Sequence, residues 1–170
     1  RTMKHADPQN PGVNQMAAKY RIQRETLNVY GNCLWYSKLI ADNYNDYARR
    51  LELYYQPYPA LQPEMKFIDG ENPGKVRGLG VQKGPDGALY LYWAAPRSRS
   101  VMQDAVKYVV YRFDSSRDVN LEDASKIVAI TDDNLIKLPY ADGTTNYYYV
   151  VTALDRVQNE SKPAGKRVKL

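Results

Sequence analysis

Chemistry at neutral pH needs side chains that can hold a proton, a metal ion or a covalent bond, and this chain spreads them thinly. It has one histidine, His5, and one cysteine, Cys33. A lone imidazole supplies neither a triad nor a metal cluster, so His5 reads as a surface or hydrogen-bonded structural residue. Cys33 sits in an apolar run and cannot make an internal disulfide or a metal site alone, which makes it a small buried hydrophobe. Acidic residues gather at Asp114, Asp118 and Asp132-Asp133 without the spacing of a calcium loop. The glycines around Gly70 and from Gly78 to Gly80 lack the following Lys-Ser/Thr of a phosphate loop and read as turns. No cofactor, metal ion or catalytic residue is assigned. Two aromatic groups remain. Trp35 and Tyr36 with Lys38 close by offer faces that stack on sugars and an ammonium that bonds hydroxyls, a candidate substrate-binding wall. The other reading is that Trp35 is core packing. Tyr90, Tyr92 and Tyr148 take outward strand positions, where they form a candidate sugar- or protein-binding platform or pack against an adjoining domain.

These residues must be held by elements, and one stretch dominates: Asn146 to Asp155, Asn-Tyr-Tyr-Tyr-Val-Val-Thr-Ala-Leu-Asp. Residues two apart on a strand share a face, so Tyr147, Tyr149, Val151 and Ala153 point one way and Tyr148, Val150 and Thr152 the other. The first face is large and apolar and needs a partner sheet. Around it the period is two. Val76 to Gln82 is a first strand, and Gly84-Pro85-Asp86-Gly87 a tight turn. Leu89, Leu91 and Trp93 share a face of the next strand, with Tyr90 and Tyr92 opposite. Lys107 to Phe113 is apolar on both faces, with Tyr108 and Val110 preferred as the inward set. A short helical turn at Asn120 to Ser125, strands Ile127 to Ile130 and Asn134 to Leu138, and a turn at Ala141-Asp142-Gly143 lead to the dominant strand. A turn from Asp155 to Ser161 and a last strand ending at Val168 follow. Seven short strands at this spacing argue for two packed antiparallel sheets.

The first part differs. Asn10-Pro11-Gly12 marks a helix start, with Asn10 as N-cap, and Val13, Met16, Ala17, Tyr20 and Leu27 make its stripe up to about Val29. Asn32 to Ser37 reads as a short buried strand. A second helix begins near Asn43, with Asp46 three residues on, and carries Tyr44, Tyr47, Ala48, Leu51, Tyr54 and Tyr55 until Tyr58-Pro59 stops it. One strand and two helices cannot bury one another's faces. Such a pattern fits an excised piece of an α/β sheet or barrel, and equally an independent helical cap. The expected organisation is α+β overall: a helix-strand-helix segment over 1–66, a linker over 67–75 and an all-β sandwich over 76–170.

Bulk properties bound the partners. The chain has 170 residues, 44% hydrophobic and 25% charged, enough for one ordinary domain or two small ones. The formal charge of +5 is mild. Its cations are spread along the chain, densest from Lys162 to Lys169, which argues against a nucleic-acid partner. No apolar run approaches the roughly 18 residues of a membrane span, and no signal peptide is visible. The sequence starts at Arg1 without Met, which leaves a signal upstream open and fits a fragment.

Two resemblances add to this. Trp93, Tyr108 with Val110, and Tyr-x-Tyr-x-Val-x-Ala from Tyr147 to Ala153 resemble a fibronectin type III domain over about Gly74 to Leu170. Tyr147 then stands at the family's tyrosine corner, its hydroxyl bonded to the chain just upstream. Such sandwiches host many functions, so this implies no activity. His5-Ala6-Asp7-Pro8, Gly31-Asn32-Cys33-Leu34-Trp35-Tyr36-Ser37, Tyr54-Tyr55 and Pro59-Ala60-Leu61-Gln62-Pro63 resemble the carboxyl-terminal end of the family-ten-like glycosidases. These are bacterial envelope proteins, often lipoproteins, some from gut Bacteroidetes, with a TIM-barrel catalytic domain and in several cases a sandwich after it. The resemblance implies that residues up to about Ala60 are the last helix–strand–helix of a barrel, with Trp35, Tyr36 and Lys38 near its mouth. It implies a periplasmic or outer-membrane lipoprotein setting, and a glycan such as peptidoglycan or another polysaccharide as the parent's substrate. Glycoside hydrolysis normally needs two carboxylates; Asp7 alone is not a pair, so both must lie upstream. The chain itself is then non-catalytic, its sandwich a spacer or docking module, with self-association through exposed helix faces. A stand-alone carbohydrate-binding module or a protein–protein adaptor is the alternative.

Overall fold

The computed structural model describes residues 16–29, 31–34, 37–139 and 146–169. His5, the helix start at Asn10-Pro11, Trp35, Tyr36 and the turn at Ala141-Asp142-Gly143 lie outside them. The chain divides into two compact units, Arg1–Pro59 and Ala60–Leu170. The division falls ahead of the 67–75 joint because the residues after Pro59 are tied to the second unit. The Met65 N–H donates to the Val157 carbonyl at 2.9 Å and the Asn72 amide to the Glu160 carbonyl at 2.8 Å.

In the first unit, α1 spans Met16–Glu25. It stops short of Val29 because the Thr26 hydroxyl turns back onto the Ile22 carbonyl (2.6 Å) and Asn28 takes φ 63, a left-handed conformation Asn tolerates. Leu27, expected on the buried stripe, is 85% exposed. The expected strand is not formed at its described residues: 31–34 is irregular, and Ser37 leads into α2, Lys38–Ala41. A strand needs a ladder partner, and the described residues of this unit provide none. Cys33 is exposed, correcting the expectation of a buried thiol. Asn43 does cap a helix, but a later one. Its Oδ1 accepts from Ala48 N–H (3.0 Å) and Arg49 N–H (3.3 Å), so it serves α3, Tyr47–Arg50. A 3-10 turn over Tyr44–Asp46 fills the gap. A π-helical turn over Leu51–Tyr55 then rotates the expected stripe. Tyr47 and Leu51 pack with Tyr20 in a small buried cluster, while Tyr54 is 70% exposed.

The second unit is the seven-stranded sandwich. Its strands are β1 Arg77–Lys83, β2 Leu89–Ala94, β3 Lys107–Phe113, β4 Ile127–Thr131, β5 Leu135–Lys137, β6 Asn146–Leu154 and β7 Ala164–Lys169. A three-stranded sheet runs β1-β2-β5 and a four-stranded sheet β4-β3-β6-β7, all neighbours antiparallel. This is a fibronectin type III-like arrangement. Between the sheets lie Leu91 and Trp93 from β2, Tyr108 and Val110 from β3, and Tyr149, Val151 and Ala153 from β6. Each is among the residues expected to face inward.

β3 is apolar on both faces because there is a second core. Val109, Tyr111, Phe113, Val150 and Leu154 cluster on the outer face of the four-stranded sheet, covered by Leu61, Val119, Leu121 and Ala124. An outer face with such a cover cannot alternate apolar with polar, which is why the pattern alone left the inward set ambiguous. Edge strands β1 and β7 each carry a glycine roofed by a tyrosine: a Cβ at Gly80 would collide with the Tyr92 ring, and one at Gly165 with the Tyr148 ring. These rings shield backbone that a side chain would otherwise cover.

Candidate functional site

The expected tyrosine platform is divided. Tyr90 and Tyr92 lie on β2 in the three-stranded sheet and Tyr148 on β6 in the four-stranded one, both pointing away from the core between the sheets. Alternation places a residue on a face but not on a sheet, so the three share only outwardness. Tyr148 is half-buried over Gly165 and packs against the second core, with the Arg167 guanidinium 5.8 Å from its ring centroid. Tyr147 faces the inner core in part and holds the Arg112 guanidinium 4.6 Å over its ring. The residues just upstream, to which a tyrosine corner would bond, are outside the described set. Lys38 opens α2 and pairs with Asp42 at 2.6 Å, both exposed.

Tyr90 belongs to a small polar network. Its hydroxyl donates to Asp86 Oδ2 (3.0 Å), which also receives Lys137 Nζ (2.8 Å), while Oδ1 accepts the Ala88 N–H (3.1 Å). Lys137 first, then the Ala88 amide and Tyr90, hold the Asp86 carboxyl down at about 2. Reciprocally, the bond to Asp86 raises Lys137 and Tyr90 above their ordinary values. The network ties the β1–β2 turn to β5 and leaves Asp86 charged at neutral pH.

A deeper polar cluster follows the dominant strand. Asp155 and Asn159 are fully buried. Asp155 Oδ1 accepts from the Val157 and Asn159 N–H groups, each at 2.9 Å, and Oδ2 from Asn159 Nδ2 at 3.0 Å. Asn159 Nδ2 also donates to the carbonyls of Asp69 (2.9 Å) and Glu71 (3.2 Å). Beside it, Glu160 Oε1 accepts from Tyr111 (2.8 Å) and Thr152 (2.5 Å), and burial and then that carboxylate push the Tyr111 phenol up. Hydrogen-bond donors of this kind offset the hydration that a buried carboxyl group gives up. From the sequence, Asp155 to Ser161 shows only as a turn. An Asp followed by Asn four residues on is a signal for such side-chain-to-backbone bonding that could have exposed it.

This clasp fixes the 69–71 backbone, which forms one wall of an open groove of about 960 Å³. The groove's charged lining is Lys75, Arg77, Arg97, Arg99 and Lys162, with Glu71 as its carboxylate. Arg77 is oriented by two bonds from its guanidinium to the Ala95 carbonyl, both 3.1 Å. Gly74 keeps the groove floor thin: a Cβ there would press on Pro96 at 3.0 Å and the Arg97 carbonyl at 3.1 Å. Sequence reasoning missed this site because its cations come from three separated segments that only the sandwich topology brings together. Among the described residues no group of His, Cys, Asp and Glu is placed to hold a metal ion. No described helix is long and apolar enough to cross a membrane.

No family model matches the chain, and no curated protein does. Solved structures similar to it include FN3tt, 20% identical over 57% of this chain and 92% of that one at a TM-score of 0.41. An Fn3-like protein from Clostridium thermocellum is 23% identical, covering 55% of this chain and 90% of that one, at 0.39. The glycoside hydrolase domain of Endo-D from Streptococcus pneumoniae R6 is 19% identical, covering 59% of this chain and 16% of that one, at 0.41. The sandwich assignment rests on the strand order and the paired inner faces of β2, β3 and β6.

Proposed function

We propose that the chain is the carboxyl-terminal part of a bacterial envelope glycoside hydrolase, non-catalytic in itself, with the sandwich as a spacer or docking module. One observation carries this reading. Among its described residues the first unit buries three large apolar side chains, Tyr20, Tyr47 and Leu51, and exposes seven: Ile22, Leu27, Val29, Tyr44, Leu53, Tyr54 and Tyr58. A free-standing domain buries more of its large apolar side chains than it shows, and an excess of this size is covered when the piece sits against a larger body. The last helices of a barrel are such a piece, and the motifs around Gly31–Ser37 and Pro59–Pro63 resemble that end of the family-ten-like glycosidases.

On this reading the catalytic carboxylates stand upstream, Trp35 and Tyr36 with Lys38 contribute to the substrate wall, and the parent acts on peptidoglycan or another polysaccharide. A docking module works by holding the chain near its polymer, which raises the effective concentration of substrate at a neighbouring active site. The reading frame upstream of Arg1 tests it. Alternating strands and helices with carboxylates at two strand ends are expected; a start or signal sequence within a few residues would overturn the barrel origin. The same exposed faces imply self-association, which sedimentation at rising concentration would reveal, and a monomer throughout would count against it.

A carbohydrate-binding module is the second reading, and the partly exposed Tyr92 beside Tyr90 favours it. Tyr90→Ala with Tyr92→Ala abolishes glycan retention if those rings form the platform and leaves it unchanged if they only roof β1.

A further inference from the structure

We propose that the groove formed by the 70–77, 97–103 and Lys162 segments binds an acidic glycan, a linear polysaccharide carrying carboxylates. The proposal deepens the docking reading and rests on it for the class of partner.

The whole chain has 24 basic and 19 acidic residues. Setting aside the groove's five cations and one carboxylate leaves 19 basic and 18 acidic residues, so nearly all the net charge sits in this one concavity. The protein's ion pairs among the described residues are Lys38–Asp42, Lys66–Glu64 and Lys137–Asp86, and no groove cation takes part. Five cations converging on an open groove with none of them in an ion pair repel one another, and an anion lining up along them relieves that repulsion. Three of the five are arginines, whose planar forks match a carboxylate in a bidentate manner.

The lining also discriminates among polyanions. Two glycines, one proline, three neutral polar residues, Glu71 and the five cations make up the wall, with no aromatic ring. Single-stranded nucleic acids and neutral sugars draw on stacking against such rings, so neither finds its usual platform here. A duplex is read by an inserted helix or ribbon, and the groove is bounded by loops and strand ends. A chain of carboxylates spaced by sugar rings asks only for oriented cations on a stiff frame. The Asn159 clasp and the bonded Arg77 provide that frame.

The test is calorimetric titration of the full chain at low salt with four probes: an oligogalacturonate, its fully methyl-esterified neutral form, a single-stranded oligodeoxynucleotide of matched charge, and inorganic phosphate. The expected result is binding of the oligogalacturonate, weakening steeply with salt, with none of the methyl ester. Arg97→Gln with Arg99→Gln, both exposed and so neutral for folding, should weaken it by about tenfold or more. Lys83→Gln with Lys107→Gln, exposed cations outside the groove, should change it less than about twofold. Tighter binding of the oligodeoxynucleotide, equal binding of the methyl ester, equal competition by phosphate alone, or indifference to the Arg97/Arg99 pair would each overturn the proposal. If the chain instead retains a neutral polysaccharide, the groove proposal falls while the docking reading stands. Retention of neither acidic nor neutral glycan removes both.

Discussion

Replacing Asn159 with alanine tests how a strand end holds a groove wall. The side-chain amide has two hydrogens facing three acceptors: Asp69 O at 2.9 Å, Asp155 Oδ2 at 3.0 Å and Glu71 O at 3.2 Å. The longest contact is therefore the shared one. Asn159→Ala removes one charge-assisted bond, of about 1.5–3 kcal/mol, and one neutral bond, of about 0.5–1.5 kcal/mol, all in a fully buried setting. Its Oδ1 has no partner among the described residues, so losing it gives a little back. The net expectation is a loss of about 2–4 kcal/mol. The assay is urea unfolding followed by Trp93 fluorescence in a Trp35→Phe background, which leaves one reporter in the chain's two-tryptophan set. Native-state amide exchange adds position: the Met65 N–H, bonded to Val157, should lose protection while β3 amides keep theirs. A loss under about 1 kcal/mol with Met65 still protected would refute the clasp.

Three further outcomes follow from the same geometry. The Asp86 carboxyl should titrate in the folded chain at about 2. Its folded value lies below the unfolded one of about 3.9, so its stabilisation is complete above that pH and fades as pH falls through 2; Lys137→Ala should move the carbon-13 titration midpoint upward. Tyr111 is shifted the other way, so its contribution is intact below about pH 10 and is lost as pH rises further. Tyr111→Phe should cost about 1–2 kcal/mol at pH 7, since Thr152 still serves Glu160, and should flatten the alkaline fall in stability; an equal slope in both proteins would contradict this. Gly165→Val should destabilise by about 1–3 kcal/mol by displacing the Tyr148 ring, and Tyr148→Ala in the same chain should absorb part of that loss. Simple additivity within about 0.5 kcal/mol would show that the ring and the glycine are independent.

The sandwich was legible where one side of a strand is apolar and long enough to register. Alternation in β2 and β6 marks their inner faces, and Tyr149, Val151 and Leu91 are buried there. In β3 the preferred inward pair, Tyr108 and Val110, is buried between the sheets, but the period gives that preference little contrast because the outer face is covered as well. Tyr148 shows the limit of alternation: its parity was right, yet the sheet it belongs to depends on the order in which strands pair. In the first unit the helix expected from near Asn43 starts only at Tyr47, because left-handed Asn43, Asn45 and Asp46 delay it, and a π-helical turn moves Tyr54 to solvent. Three left-handed residues within four positions leave no trace in hydrophobic spacing. The groove was invisible for a different reason. Lys75, Arg77, Arg97, Arg99 and Lys162 are scattered in the chain, and charge that converges through topology looks like charge spread over a surface.

The central claim is that this chain docks on a glycan and does not cut it. The most direct measurement incubates the full chain with purified, end-labelled bacterial cell-wall glycan, scoring co-sedimentation and release of new reducing ends in one tube. The account predicts retention on the polymer with no new ends above a protein-free blank. New reducing ends that scale with the amount of chain, or a chain that stays wholly in the supernatant, would contradict it.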